Sequence, residues 1–221
     1  MSSSASLAQT RVCSSAHRNT AATQARVVIL RPRVTIWKDK GFSRRESEGA
    51  CEAVQVGLHE VLAQTFERKG YKLRFDPRLM AQWEETPPND GPVQALKDHF
   101  DSLFPSFRFP GCNLLLKTSL QSDLKKVTDS DEFDVVVLAR AHAEVLTKSA
   151  KVIGAISTIW MTGPDDLLYF GIGVVDGSTG VLLYYCESTA SGDYVSAPDS
   201  RLSVPVQKCL KQYFSGGPKH R

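Results

Sequence analysis

Several patterns that would identify a function are missing from this sequence. No run of about 18 apolar residues occurs, which excludes a helix that spans a membrane. The sequence contains no C-x-x-C pair, and no histidine completes a tetrahedral metal site with its cysteines. The phosphate-loop pattern G-x-x-x-x-G-K-[ST], the zinc-protease pattern H-E-x-x-H and the nucleophile-elbow pattern G-x-S-x-G are also absent. We therefore expect no metal and no cofactor, and no enzyme class is indicated.

The composition that is present belongs to an ordinary folded domain. The 221 residues are 42% hydrophobic and 23% charged, with a formal net charge of +3. These values lie close to globular averages, which excludes collagen, a coiled coil and a wholly disordered chain. A chain of this length buries roughly 70% of its unfolded surface, so its core needs no metal or disulfide to hold it.

Charge and polarity divide the chain into a tail and a domain. Residues 1–50 hold nine Lys and Arg against three acidic residues, a net of +6, so residues 51–221 carry −3. Residues 1–25 are rich in Ser, Ala and Thr, without acidic residues or an apolar period, which predicts a disordered tail. This composition also occurs in organellar transit peptides, but their amphipathic Arg face is missing. We expect one α/β domain over 26–214 and a basic tail over 215–221.

Cysteine spacing suggests neither a redox motif nor a metal site. The five cysteines are separated by 38, 61, 74 and 23 positions, and their odd number leaves at least one thiol unpaired or modified. Free cysteine behaves as a small hydrophobic residue. We expect Cys51, Cys186 and Cys209 to be buried in that role.

The early helices follow from capping signals and apolar stripes. Ser43 and Glu46 have the spacing of a capping box and predict the start of a helix, which Gly70 ends. A second amphipathic stripe begins at Pro92, and a third follows Asn113. Ser203 and Pro205 are expected to cap a last helix.

Strand patterns dominate the second half of the chain. Strands are predicted over residues 26–37, 71–75, 134–145, 152–161, 167–175 and 181–187. Pro32 indicates an edge, a bulge or a break in the first of them. The order predicts an α/β (α+β) two-layer sandwich: a mixed sheet that ends in an antiparallel meander, with helices packed mainly on one face.

Two groups of residues are candidates for a binding or catalytic site. Arg140, His142 and Glu144 share one strand face, because side chains alternate along a strand. They would form an acid-base set in an enzyme of unknown type, but an alternating charged outer face explains them better. Phe107 and Phe109, in an irregular aromatic stretch, are the other candidate binding residues. The separate motif Gly171-Ile172-Gly173 lacks the third glycine of a dinucleotide loop, so close packing or a bulge is the better explanation.

A weak nucleic-acid interface is a further alternative. Seven Lys and Arg fall within residues 26–45 and are interleaved with Trp37 and Phe42, which could contact phosphates and stack on a base. The remainder of the domain is net acidic, so we do not expect nucleic acid to be the partner.

Three local signatures carry a resemblance to a known group. These are the helix end Phe66-Glu67-Arg68-Lys69-Gly70-Tyr71, the strand entry Phe133-Asp134-Val135-Val136-Val137, and the hairpin from Val174 to Leu182. They resemble the α/β domain of bacterial envelope lipoproteins, the group of the curli-secretion lipoprotein and the penicillin-binding-protein activator lipoproteins. The resemblance implies a non-enzymatic protein of the periplasm that binds a protein partner or forms a homo-oligomer. A cytoplasmic location is the alternative.

The same resemblance makes Cys13 a candidate for lipidation, and through it for anchoring to the outer membrane. Cys13-Ser14-Ser15-Ala16 is similar to the start of a mature lipoprotein, whereas residues 7–12 do not form a lipobox and contain Arg11. The corresponding hypothesis is that the assigned start is displaced or that the signal has decayed.

Overall fold

The computed structural model describes residues 11–14, 25–39, 44–74, 92–102, 119–127, 133–146 and 167–215. Within these ranges the chain forms eight strands and four helices. The strands are β1 Arg11–Ser14, β2 Arg26–Ile29, β3 Arg33–Asp39, β4 Arg44–Glu46, β5 Lys72–Leu73, β6 Val135–Leu146, β7 Leu167–Asp176 and β8 Leu182–Ser191. The helices are α1 Glu48–Glu67, α2 Pro92–Ser102, α3 Gln121–Val127 and α4 Pro198–Phe214.

All eight strands belong to one mixed sheet. The main order is β1-β8-β7-β6-β2-β5, while β3 pairs with both β6 and β4. The pairs β2–β5, β2–β6 and β3–β6 are parallel, and the others are antiparallel. The predicted mixed sheet and the antiparallel meander of β6, β7 and β8 are confirmed. Pro32 separates β2 from β3, which pair with successive parts of β6.

The longer helices pack on one face of the sheet, which we call the helix-packed face. Here α1 and α4 cover a core that contains 29 buried apolar residues of the described ranges, including Phe66, Ile172 and Val206. The helices approach closely at Gly57, where a Cβ atom would collide with Pro198. Any larger residue at position 57 would push the two helices apart. The close contact between the helices therefore requires glycine here, despite its low helix propensity.

The shorter helices α2 and α3 lie against the opposite face. Leu96 and Phe100 of α2, Leu124 of α3 and Leu120 just before α3 are buried there, in a second core with 13 apolar residues among those described. Because the two longer helices lie together on one face, the predicted sandwich describes the main packing, with α2 and α3 as an addition on the other side. None of the described helices has the length and apolar character needed to cross a membrane.

Two of the predicted helix starts are wrong, whereas the start of α2 at Pro92 is confirmed. Residues 44–46 form β4 and pair with β3, so α1 begins at Glu48, and the amide of Ser47 donates to the carbonyl of Ile36 at 2.9 Å. The last helix begins at Pro198 and not at Ser203, which leaves Pro205 inside it. The predicted end of α1 is confirmed: Gly70 adopts a φ of +83°, as a helix-terminating glycine does.

Part of the predicted tail is a strand. Arg11–Ser14 pairs antiparallel with β8, from Arg11 opposite Glu187 to Ser14 opposite Tyr184. Backbone hydrogen bonds to an existing strand stabilise this segment, so its polar composition was a poor guide. The rest of residues 1–24, the tail beyond Ser215 and the predicted strand over 152–161 lie outside the described residues.

Candidate functional site

The strand that carries the predicted site residues crosses the centre of the sheet. In β6 the side chains of Ala139, Ala141 and Ala143 enter the core of the helix-packed face. Arg140 and His142 therefore point to the other face, as the alternation of residues predicts. The structure brings these two together, while the side chain of Glu144 and both Phe107 and Phe109 lie outside the described residues.

The register of the sheet places Arg140 in a row of charged positions. Arg33, Arg140, Gly171 and Glu187 stand opposite one another on β3, β6, β7 and β8. We call these four residues the charged row. Arg140 is only 6% exposed, and its Nη2 atom lies 3.5 Å from Oε1 of Glu187. The predicted exposed charged face is therefore wrong at Arg140, which is buried and ion-paired.

A tyrosine hydroxyl also contacts this partly buried ion pair. The hydroxyl of Tyr185 donates to Oε1 of Glu187 at 2.7 Å. It occupies the space above Gly171, where a Cβ atom would collide with it. Burial raises the pKa of Tyr185, so it stays a neutral donor near neutral pH. The expectation that Gly171 marks close packing is confirmed.

Helix α2 adds a second layer of charge to the charged row. Arg33 pairs with Asp98, and its Nη1 atom lies 2.9 Å from Oδ2 of Asp101. Burial raises the pKa of Asp101, an effect that Arg33 and Arg140 oppose. Burial, reinforced by the nearby Arg31 and Arg33, lowers the pKa of Lys97 to about 8. This network holds α2 over the sheet.

One register step beyond the charged row, the sheet face is more accessible. Thr35, His142, Tyr169 and Thr189 stand opposite one another on the same four strands. We call them the open row. Tyr169 is 46% exposed, and the other three are half-buried. An aromatic ring between polar neighbours, backed by a rigid sheet, is a chemically suitable surface for protein contacts. The sequence pattern identified His142 but not Tyr169, which becomes its neighbour only through the β6–β7 register.

Disulfides replace the predicted roles of three cysteines. Cys186 on β8 and Cys209 on α4 are joined, with Cα atoms 5.7 Å apart. Cys13 is also disulfide-bonded. Because a sulfur in a disulfide cannot carry a lipid thioether, the predicted lipidation of Cys13 is contradicted. The expectation of buried free thiols is wrong for Cys186 and Cys209.

Cys51 is the free cysteine among the described residues. It is half-buried, and burial raises the pKa of its thiol. A raised thiol pKa lowers the fraction of reactive thiolate at neutral pH. No group of three or more His, Cys, Asp or Glu side chains that could hold a metal ion occurs within the described ranges.

Comparison with known proteins gives no family assignment. No family model matches the sequence, and no curated protein matches it. Among solved structures, the PelC dodecamer from Paraburkholderia phytofirmans is 11% identical, with a TM-score of 0.41 over 92% of this chain and 96% of that chain. The lipoprotein GNA1162 from Neisseria meningitidis is 10% identical, with a TM-score of 0.35 over 76% of this chain and 81% of that one.

A third solved structure is similar at the same level. The C-terminal domain of LpoB from Salmonella enterica is 10% identical, with a TM-score of 0.32 over 76% of this chain and 83% of that one. One of these three neighbours is named as a lipoprotein. Likenesses of this size carry no argument about function, so the proposals below rest on the residues of this chain.

Proposed function

We propose that this chain is a non-enzymatic interaction protein of the bacterial cell envelope. It resides in the periplasm and binds a protein partner, or a second copy of itself, through the open row. The observation that carries this proposal is the disulfide bonding of Cys186, Cys209 and Cys13. Disulfides form and persist in oxidising compartments such as the bacterial periplasm, and are rare in the cytosol.

The geometry of the sheet supports the open row as the contact surface. Tyr169 is one of three large apolar or aromatic side chains that are prominently exposed among the described residues, the others being Val56 and Val204. Tyrosine is enriched at protein interfaces because it offers a large contact area together with a hydroxyl group. Of the three, only Tyr169 lies on the sheet, where the backbone is held by β6 and β8 on both sides.

The sequence left two alternatives, an acid-base enzyme site and a nucleic-acid interface. Some of the residues that each would need are already engaged in ion pairs. An acid-base set would need Arg140 to be accessible, but Arg140 is buried against Glu187. A nucleic-acid interface would need the basic cluster to be available for phosphates. Within that cluster Arg26 is paired with Asp134, and Arg33 with Asp98 and Asp101.

Site-specific photocrosslinking in the native cells tests the proposal. A benzoylphenylalanine placed at Tyr169 is expected to give one discrete adduct, whose partner is identified by mass spectrometry from the periplasmic fraction. An adduct between two copies of this chain would identify self-association, and size-exclusion chromatography with light scattering would then show the same oligomer.

The matched control is the same crosslinker at Val56, which is 47% exposed on α1. Val56 has an exposure close to that of Tyr169 but lies on a helix outside the open row. The proposal fails if the two positions give the same adducts, if Tyr169 gives none, or if the protein fractionates with the cytoplasm.

A further inference from the structure

A groove lies between the C-terminal ends of α1 and α4, on the side of the sheet opposite the open row. Its volume is about 610 Å³. This lies within the range of about 300–1,000 Å³ that is usual for small-ligand sites. The described lining residues are Thr65, Arg68 and Lys69 after or near the end of α1, and Val204, Gln207, Lys208, Lys211, Phe214 and Ser215 from α4.

Both helices end at this groove because they run in the same direction. Gly57 in the middle of α1 meets Pro198 at the start of α4, and the rings of Phe66 and Phe214 near the two ends are 5.2 Å apart. The C-terminal carbonyl groups of both helices therefore converge. Their partial negative charge favours nearby cations. This explains why Arg68, Lys69 and Lys211 each lie close to a helix end.

The helix ends do not account for the other features of the groove. Val204, Lys208, Lys211 and Ser215 follow a three- and four-residue spacing, so α4 turns one continuous stripe toward the groove. Val204 is 56% exposed at one end of this stripe, and the Nζ atom of Lys69 lies 5.7 Å from the centre of the Phe214 ring at the other. Among the described lining residues four are cationic and none is acidic.

We propose that this basic groove binds the phosphate headgroup of an anionic phospholipid at a membrane surface. The lysine and arginine groups surround the phosphate, while Val204 and Phe214 contact the apolar part next to it. Lysine suits this role because its alkyl stem covers apolar surface as its ammonium reaches the charged headgroup. Basic side chains beside exposed apolar ones are typical of peripheral membrane contacts.

This second surface goes beyond the proposed function and needs neither the open row nor a lipid on Cys13. Because the groove and the open row lie on opposite sides of the sheet, binding through the groove would direct the open row away from the membrane. A protein held in this orientation presents Tyr169 to partners while its basic groove contacts the lipid.

Vesicle flotation with the purified full chain tests the groove. The wild-type protein is expected to float with vesicles of phosphatidylcholine mixed with phosphatidylglycerol, and to stay unbound with phosphatidylcholine alone. The double variant K208E/K211E is expected to bind at least about thirtyfold more weakly, because each cation near an anionic surface contributes about fivefold. Both lysines are exposed, so circular dichroism should show an unchanged fold.

The control K125E/K126E makes the same change in net charge on the exposed side of α3. It should bind the mixed vesicles like the wild type. The proposal is overturned if the wild type ignores phosphatidylglycerol, or if the control loses binding to the same extent as K208E/K211E. It is also overturned if a polyglutamate peptide, but no vesicle, binds in a manner that depends on Lys208 and Lys211. Since purified protein is used, failure here leaves the proposed location and the open row untouched.

Discussion

The two faces of the sheet are stabilised in different ways. On the helix-packed face, α1 and α4 pack over a core with 29 apolar residues among those described, and the Cys186–Cys209 disulfide joins β8 to α4. On the opposite face, the described part of the core has 13 apolar residues, and Asp98 and Asp101 of α2 form ion pairs with Arg33 of the charged row. The difference suggests that one face provides the stability of the domain and the other its specific contacts.

Truncating a buried side chain on the helix-packed face should cause the largest loss of stability. Phe66 is fully buried and contacts the rings of Tyr71, Tyr213 and Phe214. Phe66→Ala is expected to lower the free energy of unfolding by about 4 kcal/mol, measured by denaturant titration. The control Val56→Ala, on the exposed side of the same helix, should stay within about 0.5 kcal/mol of the wild type. Equal effects would contradict the packing described for α1.

The disulfide on the same face should give the next largest effect. Cys186 and Cys209 close a loop with a sequence separation of 23. Replacing both with serine is expected to cost about 3 kcal/mol, because the cross-link restricts the unfolded chain. The control Cys51→Ser removes the free thiol and should leave the denaturation midpoint in place. A C186S/C209S variant as stable as the wild type would contradict the covalent link between β8 and α4.

In the charged row, the effects of two substitutions on stability should depend on each other. Arg140→Met leaves the partly buried Glu187 without its cation, and is expected to cost about 2 kcal/mol. Adding Glu187→Gln should restore part of that loss, since the two side chains depend on each other. A double-mutant cycle in thermal or denaturant unfolding measures this coupling. Strictly additive effects would show that Arg140 and Glu187 do not interact.

The smallest expected effect is a pH-dependent contribution to stability from Asp134, just before β6. Hydrogen bonds from the Arg26 side chain and amide lower the pKa of Asp134 below 3.8. A lowered carboxyl pKa stabilises the fold above the ordinary value, and this stability is lost as the pH falls through the folded-state pKa. Asp134→Asn should therefore cost about 0.5 kcal/mol at neutral pH, the pair being partly exposed. The difference should shrink below pH 3.8; a constant difference would exclude the carboxylate as its cause.

Much of the helix-packed face could be predicted from local sequence. The apolar stripe of α1, its end at Gly70 and the hairpin at residues 176–180 depend on neighbouring residues, and the structure confirms them. The start of α1 could not be predicted this way. Pairing of residues 44–46 with β3 is a contact with another strand, and it outweighs the capping-box spacing of Ser43 and Glu46.

The opposite face was predicted only in part. Alternation along β6 placed Arg140 and His142 together, but it contains no information about Glu187 or Tyr169, which the strand register brings beside them. Burial of Arg140 beside Tyr185 and Glu187 of β8 is a tertiary property. Cysteine pairing was missed for the same reason, because a sequence separation does not reveal which sulfurs meet in space.

The oxidation state of the cysteines in the native cells tests the account most directly. Cells are quenched in acid, and the protein is denatured, alkylated without reductant, and mapped by mass spectrometry. The account predicts that Cys51 is labelled, while Cys13, Cys186 and Cys209 are labelled only after reduction. Labelling of Cys186 and Cys209 before reduction would contradict both the disulfide and the proposed location in an oxidising compartment.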